Sequence, residues 1–78
     1  MEVKDRAIGK YLECITKKLL DMDVSDCTAD LDELLSQDFT LTWSFDEIDS
    51  WLKEADISDD KKAFIIRLTE QIKKHKTQ

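Results

Sequence analysis

The chain has 78 residues, with 18 Asp or Glu against 12 Lys or Arg, one Gly, no Pro and two Cys. A single Gly excludes phosphate-cradling loops and dinucleotide-binding turns, which need two or more glycines at fixed spacing. The near absence of Gly and Pro also removes tight-turn chemistry, which argues against an all-β fold and for helices around one small core. With 41% apolar residues, the chain can fill that core but leaves no room for a large cofactor cleft, so no cofactor is expected.

The N-terminal residues carry mixed charge and no apolar h-region follows, so no signal peptide is expected. No apolar run approaches the ~18 residues that cross a bilayer, and no membrane partner is expected. Cys14 and Cys27 allow one bridge at most. Without a secretory signal, the expectation is two reduced thiols and a cytoplasmic location.

In chain order, residues 3–22 predict the first helix. Ile8, Leu12, Ile15, Leu19 and Met22 advance by four, three, four and three, with Ala7, Tyr11 and Cys14 beside them. Gly9 costs this helix about 1 kcal/mol relative to Ala, which suggests a neighbouring element close to its backbone. Leu20 falls on the opposite face. A shorter helix is predicted over 29–37, capped by Thr28 and burying Leu31, Leu34 and Leu35. Residues 39–43 alternate apolar and polar like a strand, but no second strand is available to pair with them. An extended linker docking Phe39, Leu41 and Trp43 on the core is therefore expected.

Ser44 is followed three residues later by Glu47, the pattern of a reciprocal capping box, so a third helix is predicted from there to Ala55. Phe45, Ile48, Trp51, Leu52 and Ala55 face its inside, and Asp46, Asp49, Lys53 and Glu54 its outside. Ser58 caps a final helix over 59–75, with acids in the first turn and Lys73, Lys74 and Lys76 at the end, as the helix dipole favours. Phe64, Ile65, Leu68 and Ile72 form its buried stripe, and Ile66 points away. The whole reads as one all-α domain, a compact three- to four-helix bundle over residues 1–78.

The charge is unevenly placed. Residues 1–20 hold five basic and three acidic groups, residues 21–60 hold fourteen acids and only Lys53, and residues 61–78 hold six basic groups and Glu70. An acidic middle of −13 thus lies between basic ends of +2 and +5. One reading is that these charges are solvated and pair weakly within the bundle. The other is that an acidic face including Asp46, Glu47, Asp49, Asp56, Asp59 and Asp60 meets a basic protein surface, as inhibitors of nucleic-acid enzymes do. Direct nucleic-acid binding is not expected of so acidic a chain, and the basic run at 73–76 reads as a helix C-terminus.

Catalytic and metal chemistry find little support. Two Cys thirteen residues apart and one His do not make a zinc site. The stretch from Asp21 to Asp26 has an EF-hand-like start, but Asp26 stands where the loop needs Gly and Asp32 where it needs Glu. Cys14 lies on the core stripe, and His75 near the chain end is a poor base. Asp49-Ser50-Trp51 is similar to the Asp-Ser-Leu motif of the acyl carrier proteins, which carry phosphopantetheine at a helix start. The similarity covers three residues, Trp51 replaces Leu, the preceding Gly is missing and Ser50 falls inside the predicted helix.

Trp43, Phe45 and Trp51 cluster around one segment. Trp51 is expected in the core, and Trp43 is a candidate interface anchor. Leu20 and Ile66, both off their stripes, are candidates for a contact surface or a homodimer. The expected function is a non-enzymatic protein-binding module, most plausibly an inhibitor such as an immunity protein, antitoxin or anti-defence factor. The alternative is a structural or regulatory subunit that self-associates through Leu20 and Ile66.

Overall fold

Four helices form in the computed structural model, which describes residues 2–75: α1 (Val3–Leu19), α2 (Ser25–Leu35), α3 (Asp46–Glu54) and α4 (Asp59–Lys73). The fold is all-α, as the periodicity predicts, and its Cα radius of gyration is 12.2 Å. A folded chain of this length is expected near ~11.5 Å. Helix α1 is the central element and makes the main helix–helix contacts, with α2 and with α4.

The buried face of α1 is Ala7, Tyr11, Cys14 and Ile15, all on or beside the expected stripe, whereas Ile8, Leu12, Leu19 and Met22 of that stripe are not fully buried. Successive helical residues stand ~100° apart, so the apolar set from Val3 to Leu19 covers about half the circumference. A bundle of this size encloses less than that. Leu12, at the edge of the arc, is 39% exposed, and Ile8 and Leu19 are half-buried. Met22 lies beyond the helix and is exposed. The helix ends in a Schellman-type turn: Met22 N–H donates to the Lys17 carbonyl (2.8 Å) and Asp21 N–H to that of Lys18 (3.1 Å). Asp21 takes the left-handed conformation this turn requires, with φ 59°. The expected close approach at Gly9 is absent: nothing lies within 4 Å of where its Cβ would stand, so packing does not explain this glycine.

Helix α2 begins four residues before the predicted start. The Asp23 carboxylate accepts both the backbone N–H (3.0 Å) and the hydroxyl (2.8 Å) of Ser25, and this local turn starts the helix. The earlier start carries Cys27 onto the buried face with Leu31 and Leu34. There Cys27 is joined to Cys14 in a disulfide that ties α2 to α1, with Cα atoms 5.7 Å apart. The expectation of two reduced thiols is corrected accordingly, and Cys14 is a half-cystine in the core. Spacing did not reveal the pair, because the approach of the two Cα atoms is set by packing.

Residues 39–43 link α2 to α3 without helix, as expected. Leu41 is fully buried, Thr40 and Thr42 face solvent, and Phe39 stacks on His75 with ring centres 4.1 Å apart. The Leu41 N–H donates to the His75 carbonyl oxygen at 2.7 Å, so the linker is held by the end of the last helix. Helix α3 starts without the predicted reciprocal box: the Ser44 hydroxyl accepts the Asp46 N–H at 3.3 Å. Leu52 is its buried residue, and Trp51, expected in the core, is 38% exposed. Helix α4 follows prediction, with the Ser58 hydroxyl accepting the Lys61 N–H (3.3 Å) and with Ile65, Leu68 and Ile72 buried. Lys76, the last of the expected C-terminal lysines, lies outside the described residues.

Both disulfide sulfurs belong to buried residues and close a loop of 13 residues in sequence separation. Cross-linking a loop of that size stabilises a domain by about 3 kcal/mol, chiefly through the unfolded chain. Chemical denaturation with and without reductant should show a loss of about that size, reproduced by the Cys14→Ala, Cys27→Ala double variant. Coincident unfolding curves would show that the bond contributes nothing.

Candidate functional site

The candidate residues divide between two ends of α3. Asp46, Glu47 and Asp49 occupy its first turn, where unpaired backbone N–H groups favour anions. Asp56, Asp59 and Asp60 follow it, in the connection to α4 and the first turn of α4. The nine residues of α3 put roughly 13 Å between these groups. They form two acidic patches on either side of one short helix, not a single continuous cluster.

Several of these acids already have partners. Lys73 Nζ donates to Asp49 Oδ2 at 2.9 Å and stands 5.7 Å from the centre of the Phe45 ring, which joins α4 to α3. Lys18 pairs with Asp60 at 3.4 Å, Lys61 with Asp21 at 3.2 Å and Lys10 with Asp30 at 3.6 Å. Each of these bridges joins a basic terminal segment to the acidic middle, as the solvated-pair reading expects. Four of the fourteen acids of the middle segment are engaged this way, and ten have no ion pair among the described residues. Asp46, Glu47, Asp56 and Asp59 are among the ten, and all four are exposed.

Beside the first patch lies an aromatic cluster. Tyr11, Trp43 and Phe45 meet edge to face, with centroid separations of 6.3 Å (Tyr11–Trp43), 5.8 Å (Tyr11–Phe45) and 4.9 Å (Trp43–Phe45). Tyr11 and Phe45 are buried, while Trp43 is half-buried. Trp43 lines a groove of about 480 Å³ together with Leu12, Ser44, Glu47 and Ile48. Trp51 follows Glu47 and Ile48 by four and three residues, which places it on the same side of α3 one turn further on.

Leu12 and Ile48 read from the sequence as core residues, not as members of a site. The signal that could have found Leu12 is the width of the α1 apolar arc, which exceeds what a small bundle encloses. Leu20 is 65% exposed at the end of α1 and Ile66 is 46% exposed on α4, so both point away from the core as expected. Ser50 lies inside α3, not at its start. No group of three or more His, Cys, Asp or Glu among the described residues is arranged to hold a metal ion. No helix among them is long and apolar enough to cross a membrane. Comparison with protein-family models, curated proteins and solved structures found no match to this chain.

The cluster rests on one buried polar link. Thr69 Oγ1 lies 2.7 Å from the Ile65 carbonyl and gives it its one proton, so in the 2.5 Å contact between Tyr11 and Thr69 the phenol is the donor. Burial pushes the Tyr11 phenol up, the Thr69 contact opposes the shift, and the nearby Asp49 carboxylate adds to it. As pH rises past about 10, the unfolded chain gives up the phenolic proton first. The native state then holds more protons, and stability falls. Tyr11 is the chain's one tyrosine, so the rise in near-ultraviolet absorbance that marks tyrosinate reports it alone, above the unchanging absorbance of the two tryptophans. Tyrosinate should appear only together with alkaline unfolding, and Tyr11→Phe should lessen that unfolding while costing about 1 kcal/mol at neutral pH. Free titration of the phenol in the folded protein would contradict the assignment.

Proposed function

We propose that this chain is a non-enzymatic protein-binding module of the inhibitor type, in the manner of an immunity protein, antitoxin or anti-defence factor, that sets its acidic helical surface against a basic partner. The observation that carries this reading is the pair Asp46 and Glu47, exposed and without ion pairs among the described residues, beside the half-buried Trp43. Carboxylates next to an aromatic anchor supply both steering and a desolvated contact. Helix α3 is tied to the rest of the bundle by buried Leu52 and the Asp49–Lys73 bridge. Asp56 and Asp59 extend the negative field towards α4. The same acidity disfavours phosphate backbones as partners. The cytoplasmic location expected from the missing secretory signal went with reduced thiols, and the Cys14–Cys27 bond speaks against it.

Binding to the partner should weaken steeply as salt rises from about 0.05 to 0.5 M, since exposed charges are screened over that range. The Asp46→Lys, Asp56→Lys double variant should weaken it by about tenfold or more at low salt, with an unchanged circular-dichroism spectrum. Asp49 is left intact in this test because its bridge is structural. Affinity that ignores both salt and charge reversal overturns the reading.

The exposure of Leu20 and Ile66 favours a second reading, self-association as a structural or regulatory subunit. Sedimentation would then show a dimer that Leu20→Glu or Ile66→Glu dissolves, whereas a monomer at high concentration removes this reading.

A further inference from the structure

We propose that the groove between α1 and α3 is the docking seat for one amphipathic, lysine- or arginine-bearing helix of a protein partner, with Trp43 at its base. The inference rests on the protein-binding reading above and names the partner's chemistry. One wall is Leu12 of α1, and the other is Ile48 of α3, with Glu47 and Ser44 completing the lining. Leu12 and Trp51 keep more than a third of their surface in water although each belongs to a helix with a buried face. Apolar side chains left at the edge of a core gain when a partner covers them, by about 25 cal/mol for each Å² removed from water.

Charge decides which partner fits. Residues 44–54 carry Asp46, Glu47, Asp49 and Glu54 against Lys53 alone, and the Asp49 charge is met by Lys73. Glu47 lines the groove itself, and neither it nor Asp46 has an ion pair among the described residues. A helix fits such a seat because its apolar residues recur at i, i+3, i+4 and i+7 along one face, with cationic residues free at the flanks. Strand addition would need an open sheet edge, and there is no sheet among the described residues.

The test uses the full chain and a designed peptide of about 18 Leu and Lys residues in that helical pattern, roughly 27 Å long when folded. A Leu/Glu peptide of the same pattern and an oligolysine of the same length serve as comparisons. Calorimetry and tryptophan fluorescence should show the Leu/Lys peptide binding with a blue shift. Leu12→Glu and, separately, Ile48→Ala, both in the groove lining, should each weaken it by about tenfold or more, as expected for apolar anchors. A Glu33→Ala control, on an exposed position of α2 outside the groove lining, should change it by less than about threefold.

Equal binding of oligolysine, or Leu/Lys binding that both groove variants leave unchanged, overturns the groove while leaving the acidic-surface reading intact. Equal binding of the Leu/Glu peptide overturns the charge selection. Failure of the Leu/Lys peptide to bind at low salt overturns the seat, while the salt dependence of the natural partner still judges the broader reading separately. A dimer in sedimentation that Leu12→Glu dissolves would show that a second copy of this chain takes the groove, and overturns it too.

Discussion

Burying a phenol is unfavourable unless its hydroxyl finds a partner, and in this bundle Tyr11 finds one across the core in Thr69. The bond fixes how α1 lies against α4, and Thr69 is fixed in turn by the Ile65 carbonyl one turn back. With the hydroxyl placed, the ring presents its edge and face to Trp43 and Phe45, which brings the extended segment and the start of α3 onto the core. Cys14, one turn on from Tyr11, is then on the side where Cys27 reaches it. One face of α1 thereby holds α2, α4 and the entry to α3, and the groove exists because Leu12 is the next residue round from Tyr11.

The uneven charge has two parts once the helices are assembled. Lys10, Lys18, Lys61 and Lys73 belong to the basic ends, and each meets an acid of the middle segment. Lys61 also donates to the Leu19 carbonyl at 3.3 Å, and Lys18 stands 5.2 Å from the centre of the Phe64 ring, so these lysines link the end of α1 to the start of α4. Exposed pairs of this kind contribute at most about 1 kcal/mol each, so they orient the helices more than they stabilise them. The pairing accounts for the segregation but not for its excess, because most of the middle acids remain without an ion pair among the described residues. That surplus on α3 and around it is what a basic partner would meet.

Sequence pattern made the helices legible because a period of 3.6 leaves the same trace whatever the helix packs against. Ser58 capped α4 as read, and the alternation over 39–43 placed Leu41 inside and its threonine neighbours outside. What escaped depends on contacts distant in sequence. The Asp23 turn that starts α2 early is local, but it competes with several equally good cap residues nearby. The Cys14–Cys27 bond and the Phe39–His75 stack require knowing how α1, α2 and the end of α4 converge. Of the candidate site, the carboxylates were visible as composition. The groove was not, because Leu12 and Ile48 look like core residues until the limits of the core are known.

Those limits bear on how a protein of this size can bind at all. A domain with so small a core has few apolar residues to leave uncovered, and each one left out lowers its own stability. Leu12 and Trp51 are nevertheless left at the edge, and Leu12 shares a groove with Trp43, which is set edge to face against two other rings. A partner covering the groove would add buried apolar surface that the bundle alone cannot supply. Peripheral α3 supplies the carboxylates without contributing much to the core, since Leu52 is its buried residue. Stability is thus concentrated in α1, α2 and α4, and the surface of α3 is free to be shaped by recognition.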